Sequence, residues 1–440
     1  MKRVLLLGAG LVSRPLVAYL TDWPDIALTV GDLDPARAEQ VLGGAERGRA
    51  LALSIDDDSA LAALVAEADL VVSLLPQRLH GKVAEVAIAH RVPLITTSYV
   101  SAEMRALDGA ARAAGVLVLN EIGLDPGLDH MSAMRAIRRL RSDGYRLESF
   151  RSCCGGLPAP EANTNPWGYK FSWSPRGVLA AGLNAARWLE DGRVVDVPGE
   201  ELFTHVAAYD VPDVGRLEVY PNRDATAYIA TYGIEGVRTM FRGTLRYSGW
   251  CETLQAVSRL GLLDGALRTL RTDATYEEFM ENFAEAGTGP LIERVAARAG
   301  IEADGAVMAR LRWAGLFSGR PLSSSQMAPI DVLCARLAEC LAYAPGERDM
   351  IVLRHEFGVV DPNGRREARV STLVAFGEPR GDSAMARTVS LPAAVAARLI
   401  LDGRIALAGV RIPVDPEIYE PVLDALEPMG IVFRETRTAP

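Results

Sequence analysis

Four apolar residues, Val4–Leu7, run directly into Gly8-Ala-Gly10 and then into helically spaced sequence that extends to about Leu20. A strand, a glycine turn and a helix in that order leave few folds open. Gly8 permits a tight turn, and Gly10 lets a pyrophosphate approach the backbone. The helix start presents N–H groups and positive dipole to an anion. Ser13 stands where the dinucleotide fingerprint has a third glycine, which serves close helix–strand packing, so the match is incomplete.

The pattern then repeats through residue 120. Ala27–Val30 reads as a second strand ending at Asp32, and Pro35–Leu42 as the next helix. Leu51–Leu53, Leu70–Leu74, Leu94–Thr97 and Val116–Leu119 continue the series. Short, wholly apolar strands separated by helices indicate a parallel sheet covered on both faces, the doubly wound Rossmann architecture. Asp32, at the end of the second strand, is placed to accept hydrogen bonds from a ribose 2′-hydroxyl and to repel a 2′-phosphate, which favours NAD. Its alternative is a turn or cap role like that of Asp34 before Pro35. Arg14 and Arg37 leave NADP open.

Ligands of open α/β sheets bind beyond the carboxyl ends of the strands. Three loops fall there: Leu74-Leu-Pro76, Thr96-Thr-Ser-Tyr99 and Asn120–His130. Pro76 is also a plausible helix-start turn residue, and the threonines could simply end a strand. The third loop, Asn120-Glu-Ile-Gly-Leu-Asp-Pro-Gly-Leu-Asp-His130, joins titratable groups to backbone freedom where a plain connection needs only a few turn residues. Its centre is Asp125, with Gly123 and Gly127 two residues to either side. Asp125 and, more weakly, Tyr99 and His130 are the candidates for proton chemistry, and Asp125 serves equally well on this pattern as no more than the partner of a bound ammonium group. His130 could instead only begin a helix.

Beyond about residue 150 the texture changes. Arg216–Tyr220, Thr226–Tyr232, Thr239–Tyr247, Met350–Val359 and Arg366–Phe376 are β-rich, and Asp-Pro-Asn-Gly at 361–364 is a hairpin turn signal. Residues 252–345 read as helices. The expected organisation is a Rossmann domain at 1–124 plus about 390–440, a mixed α/β substrate domain at about 125–251 and 346–389, and a helical insertion at about 252–345. A formal charge of −9 argues against a broad nucleic-acid surface and requires any anionic substrate to meet a locally cationic pocket. Five cysteines without a CxxC pair point to a reduced protein with no structural metal. No apolar run reaches membrane-spanning length and no leader is evident, so a cytoplasmic enzyme without a membrane partner is expected.

Arginine is the residue for bidentate carboxylate binding. It recurs in the β-rich region, in Pro221-Asn-Arg223-Asp224 and Arg242-Gly-Thr244-Leu245-Arg246-Tyr247, while Tyr169-Lys-Phe-Ser-Trp173-Ser-Pro-Arg-Gly177 is polar and aromatic. With Gly8–Pro15, Thr96–Ser101, Asn120–His130 and Leu391-Pro-Ala-Ala394, these segments make the chain resemble the saccharopine dehydrogenases of the L-glutamate-forming type, the saccharopine reductases, along nearly its full length. The resemblance implies oxidation of the secondary amine of saccharopine by a nicotinamide cofactor, giving L-glutamate and 2-aminoadipate 6-semialdehyde, or the reverse. It implies substrate contacts at Ser98, Tyr99, Asp125, Arg223, Thr244, Leu245 and Arg246. Cofactor contacts would fall on Gly10, Leu11, Val12, Ser13, Asp32, Pro76, Thr97, Leu124, Asp125 and Trp173. A homodimer is the generic and family expectation. One departure matters: fungal members favour NADP and carry a basic residue near the second-strand end, where this chain has Gly31-Asp32-Leu-Asp34.

Two other readings stay in view. A related imine-reducing enzyme, such as a carboxynorspermidine synthase, would meet more amines and fewer carboxylates, so its pocket should be richer in acids; the arginine pairs disfavour it. A catalytically silent dinucleotide-binding regulator would have no need of Asp125, Arg223 and Arg246.

Overall fold

The computed structural model describes residues 1–438 apart from 270, 272 and 325; the last two residues of the expected C-terminal stretch lie outside it. In chain order the first part is β1 (Lys2–Leu7), α1 (Arg14–Thr21), β2 (Ile26–Asp32), α2 (Pro35–Leu42), β3 (Gly48–Ala52), α3 (Asp58–Glu67), β4 (Leu70–Ser73), α4 (His80–Ala89), β5 (Leu94–Thr96), α5 (Ala102–Ala106), α6 (Asp108–Ala114), β6 (Leu117–Leu119) and α7 (Leu128–Ser142). Then come β7 (Arg146–Pro158), α8 (Pro175–Ala181), β8 (Ala186–Glu190), β9 (Arg193–Val197), β10 (Ala207–Val211), β11 (Gly215–Pro221), α9 (Ala227–Thr231) and β12 (Thr239–Arg246). The helical stretch holds α10 (Trp250–Leu260), β13 (Arg268–Thr269), α11 (Tyr276–Glu281), α12 (Leu291–Ala299), α13 (Ala306–Trp313), β14 (Gln326–Met327) and α14 (Pro329–Cys340). The chain ends with β15 (Asp349–Val360), β16 (Arg366–Phe376), α15 (Ala384–Leu401), β17 (Gly409–Arg411), α16 (Pro416–Leu426) and β18 (Arg434–Thr438).

Two compact units result. The first comprises Met1–Arg146, Val360–Arg366 and Ser371–Thr436; the second comprises Leu147–Val359, Glu367–Val370 and the residues from Arg437.

The first unit is built on a seven-stranded sheet in the order β17-β6-β5-β4-β1-β2-β3, with every pairing parallel. Its strands are short and apolar because both faces are covered: Leu6, Leu7, Val30, Val71, Val72 and Val118 have essentially no exposed surface. Local chemistry sets the helix limits. The Asp34 carboxylate accepts from Ala36 N–H at 3.0 Å, Pro35 occupies the first turn, and Gly43 closes α2 with φ +59°. The chain leaves β1 toward β2 on one side and later returns through β4 on the other. The loops after β1 and β4 therefore meet at the point where strand order reverses, the usual ligand edge. α15 is long and apolar enough to cross a membrane by length and composition, correcting the expectation of no such run, but 72% of it is buried inside the protein. It packs against α1 and α16, as a core helix does.

A second sheet, of mixed strand direction, is ordered β10-β11-β12-β7-β15-β16-β18, with β8 and β9 beside β12. Asp361–Gly364 forms the turn between the neighbours β15 and β16, with Gly364 N–H donating to the Asp361 carbonyl and φ +83° at Gly364. Helices α10 to α14 enclose an apolar cluster that includes Trp167, Tyr169, Trp250 and Phe279. One expectation fails here. Thr226–Tyr232 is not a strand: Asp224 Oδ1 accepts from Thr226 N–H and Oγ1 at 2.8 and 2.6 Å, and this turn starts the short helix α9. Local side-chain bonding overrode the β-branched and aromatic composition.

Candidate functional site

In the first unit the loops at the carboxyl edge carry the expected residues. Gly8 has φ +98°, and a Cβ there would lie 3.3 Å from the Leu74 carbonyl, so the β1 and β4 loops touch through bare backbone. At Gly10 a Cβ would meet no atom within 4 Å: the backbone faces open space, as a cradle for a bulky ligand must. Ser13 is buried and donates from Oγ to the Gly10 carbonyl at 2.7 Å, closing the turn in place of a third glycine. Leu11 is exposed and Val12 half-buried beside it.

Asp32 is tied to that turn. Its Oδ2 accepts from Ala9 N–H at 2.8 Å and its Oδ1 from Asp34 N–H at 2.9 Å. A carboxylate has about four acceptor positions, so both oxygens keep capacity for ribose hydroxyls. Arg37 and Arg14, the cations that left NADP open, are each matched with an acid. Arg37 Nε lies 3.5 Å from Asp34 Oδ2, and Arg14 Nη1 lies 3.2 Å from Asp382 Oδ1. Pro76 is exposed and opens a short 3-10 turn at Gln77–Leu79.

The loops after β5 and β6 interlock. Tyr99 Oη donates to Asp125 Oδ1 at 2.8 Å. Glu121 flanks Tyr99 on both sides: its N–H donates to the Ser98 carbonyl at 3.2 Å and its Oε1 accepts from Val100 N–H at 2.9 Å. Glu121 holds φ +57°, a conformation non-glycine residues rarely adopt. Its Oε2 meets Nε2 of the buried His130 at 2.8 Å. His130 thus stands behind the loop as a buttress, while Asp129 Oδ1 accepts from Gly127 and His130 N–H at 2.6 and 2.8 Å.

Asp125 precedes Pro126 through a cis peptide, and Gly127 follows with φ +145°. A Cβ on Gly127 would sit 2.1 Å from the Gly123 carbonyl oxygen, and one on Gly123 would crowd Thr97 Cβ at 3.1 Å. The two glycines allow the loop to fold over itself and leave Asp125 half-buried at its rim, with Leu124 buried beneath.

One cluster escaped the sequence reading. His80 is buried, with Nδ1 2.9 Å from Ser73 Oγ and Nε2 2.9 Å from Ser98 Oγ. Burial pushes its imidazole down to about 4. The available signal was a histidine four residues after Pro76, at the start of a helix on the ligand edge.

In the second unit Arg246 ends β12 and is almost fully buried. Its guanidinium carbon lies 5.0 Å from the Tyr169 ring centre and 5.8 Å from that of Trp250. Nη1 donates to the Leu245 carbonyl at 2.8 Å, while Nε has no hydrogen-bond partner among the described residues. The cross-strand residue opposite is Glu218, but its carboxylate accepts from Cys251 and Gly249 N–H at the start of α10, at 2.7 and 3.3 Å. Among the described residues Arg246 forms no ion pair with a carboxylate. Leu245 is buried and Thr244 half-buried next to it.

Arg223 is exposed with φ +55°, its carbonyl accepting from Arg187 N–H at 2.9 Å. Trp173 is half-buried over the first turn of α8; a Cβ on Gly177 would lie 2.7 Å from its ring. The expected residues therefore form two sets. Gly8 to Ser13, Asp32, Pro76, Thr97 to Tyr99 and Leu124–Asp125 lie in the first unit; Trp173, Arg223 and Thr244 to Arg246 lie in the second.

Comparison with known proteins adds the following. Residues 4–119 match a family model described as the saccharopine dehydrogenase NADP binding domain, and residues 123–431 match the saccharopine dehydrogenase C-terminal domain. The chain is 38% identical to a saccharopine dehydrogenase [NADP(+), L-glutamate-forming] of Schizosaccharomyces pombe, covering 99% of each chain. It is 39% identical to its Saccharomyces cerevisiae namesake over 100% of both. An alpha-aminoadipic semialdehyde synthase of Bos taurus is 40% identical, and there the chain spans 48% of the longer protein. Among solved structures, the apo L-Glu-forming saccharopine dehydrogenase of S. cerevisiae superimposes with a TM-score of 0.88 at 37% identity, covering both chains fully.

Proposed function

The chain belongs to the saccharopine dehydrogenase family, and from that premise we propose that it is the L-glutamate-forming oxidoreductase of lysine metabolism. It oxidises the secondary amine of saccharopine with a nicotinamide cofactor. Hydride leaves the carbon beside the nitrogen, water adds to the resulting imine, and L-glutamate and 2-aminoadipate 6-semialdehyde separate; the reverse is a reductive condensation. The observation that carries this reading beyond resemblance is Arg246. A buried guanidinium stacked on aromatic rings and lacking a carboxylate is costly unless a ligand supplies the anion. A tricarboxylate substrate in a chain of net charge −9 needs such a site.

A bound nicotinamide cofactor would supply the hydride acceptor. Gly8 to Ser13 provide the open backbone that would hold its pyrophosphate, and Asp32 the acceptor for its ribose. Tyr99 and Asp125 are the groups that would orient the substrate amine, with Asp125 the candidate to take a proton from amine or water. Orientation of the reacting carbons accounts for much of such a rate enhancement.

NAD is the preferred cofactor on this reading. Asp32 favours a free 2′-hydroxyl, and Arg14 and Arg37 are each matched with an acid, although exposed pairs of that kind are weak. The fungal relatives are named for NADP, so preference here rests on the residue. Five free cysteines are in keeping with a cytoplasmic protein, and a homodimer is the expected assembly.

Purified protein with saccharopine should generate reduced nicotinamide, faster with NAD than with NADP. Absence of turnover with both cofactors would refute the substrate. Asp32→Ser should narrow the NAD preference, and an unchanged ratio would show that the carboxylate does not read the ribose.

A further inference from the structure

Ser73 closes β4, His80 opens α4 and Ser98 follows β5, so three strand-edge elements meet in one hydroxyl–imidazole–hydroxyl chain. The direction of its hydrogen bonds follows from proton counting. Ser73 has no exposed surface, and its Oγ has the His80 ring as its one hydrogen-bond partner among the described residues. If Nδ1 carried the ring proton and donated to Ser73, the Ser73 hydroxyl proton would be buried with no acceptor, an expensive arrangement. The satisfied arrangement has the Ser73 hydroxyl donating to a bare Nδ1. Burial keeps the ring neutral, with a pKa near 4, so its single proton then sits on Nε2 and is donated to Ser98 Oγ.

That leaves the Ser98 hydroxyl proton uncommitted. The rest of Ser98 is pinned: its N–H donates to Thr96 Oγ1 at 3.1 Å and its carbonyl accepts from Glu121 N–H at 3.2 Å. We propose that His80 is a positioning residue that sets the half-buried Ser98 as a hydrogen-bond donor toward a substrate carboxylate, rather than as an acceptor for a substrate amine. The proposal rests on the reading of this edge as the amino-acid site. It adds a polarity to that site: Ser98 selects an anionic oxygen, and the residue that makes it do so need not touch the substrate.

Two measurements test it. The chain has five histidines, so 15N-histidine labelling gives few ring signals, and His80→Gln assigns the one from His80. At pH 7, without substrate, His80 should show the tautomer protonated on Nε2; protonation on Nδ1, or a doubly protonated ring, overturns the proposal. In steady-state kinetics, His80→Leu should raise KM for saccharopine by about 10-fold, the worth of one hydrogen bond, with cofactor KM essentially unchanged. His80→Gln, which keeps an N–H directed at Ser98, should recover most of that loss. In a Ser98→Ala background, His80→Leu should cost nothing more. Additive losses, or equal losses for Leu and Gln, overturn it. Should neither saccharopine nor any cofactor support turnover in the parent protein, the proposed substrate has failed, and the tautomer measurement still decides the state of His80.

Discussion

Tyr99 Oη donates to Asp125 Oδ1 at 2.8 Å, joining the loop after β5 to the loop after β6. The pair is held from behind: Glu121 bonds the backbone on either side of Tyr99, and His130 Nε2 meets the Glu121 carboxylate. Removing one partner of a hydrogen bond to a charged group costs roughly 1.5–3 kcal/mol, or about 10- to 100-fold. Tyr99→Phe should lower kcat/KM for saccharopine by that order, and Asp125→Asn by at least as much, without loss of fold. Circular dichroism beside steady-state rates checks this. Full activity in Tyr99→Phe would reduce the pair to a structural contact.

Two glycines at the same edge should respond in opposite ways. A methyl on Gly127 would meet Gly123 backbone at 2.1 Å, and backbone cannot swing aside. Gly127→Ala should therefore destabilise the protein by more than about 2 kcal/mol, seen as a lower denaturant midpoint. A methyl on Gly10 meets nothing within 4 Å. Gly10→Ala should leave the midpoint of the ligand-free protein unchanged while weakening cofactor binding by titration. Equal midpoint losses would show that the Gly10 loop is not held open for a ligand.

These contrasts show where sequence carries information and where it stops. Val4–Leu7 is legible as a central strand because a strand buried on both faces needs only apolar residues. The Asp34-Pro35 start of α2 is legible because capping is local. Thr226–Tyr232 misleads, since the deciding bonds come from Asp224, just outside the window. His80 with Ser98, and Glu121 with Val100, were not legible at all. Each meets its partner 18 or 21 residues away in sequence, and no periodicity encodes which side chains a parallel sheet will bring together at its edge. Glu218 was hidden for a related reason: register places it opposite Arg246, yet it faces the N–H groups opening α10.

Arg246 gives a third prediction. Removing one member of a buried ion pair is strongly destabilising because a charge is stranded, whereas removing Arg246, which has no carboxylate partner among the described residues, strands no charge and frees only the Leu245 carbonyl. Arg246→Met should therefore cost little stability, within about 1–2 kcal/mol from lost ring stacking, while raising KM for saccharopine by at least about 10-fold. Thermal denaturation and kinetics separate the two effects. A folded variant with unchanged KM would show that the guanidinium does not hold a substrate carboxylate.

The buried state of His80 sets a pH dependence whose sign can be worked out. Its folded value lies near 4, below the ordinary 6.5, because burial disfavours the charged ring. Between those values the unfolded chain binds more protons than the folded one, so stability rises with pH across the window. The contribution is fully present above about pH 6.5, is lost as pH falls, and levels off below about 4. Between pH 7 and pH 5 the parent protein should lose about 2 kcal/mol more than His80→Gln, which has no proton to bind. Urea unfolding of both proteins at the two pH values measures that difference directly. Parallel losses would mean that the His80 ring is protonated in the folded state as readily as in the unfolded chain, and the Ser73–His80–Ser98 chain would then lack the neutral imidazole that its hydrogen-bond direction requires.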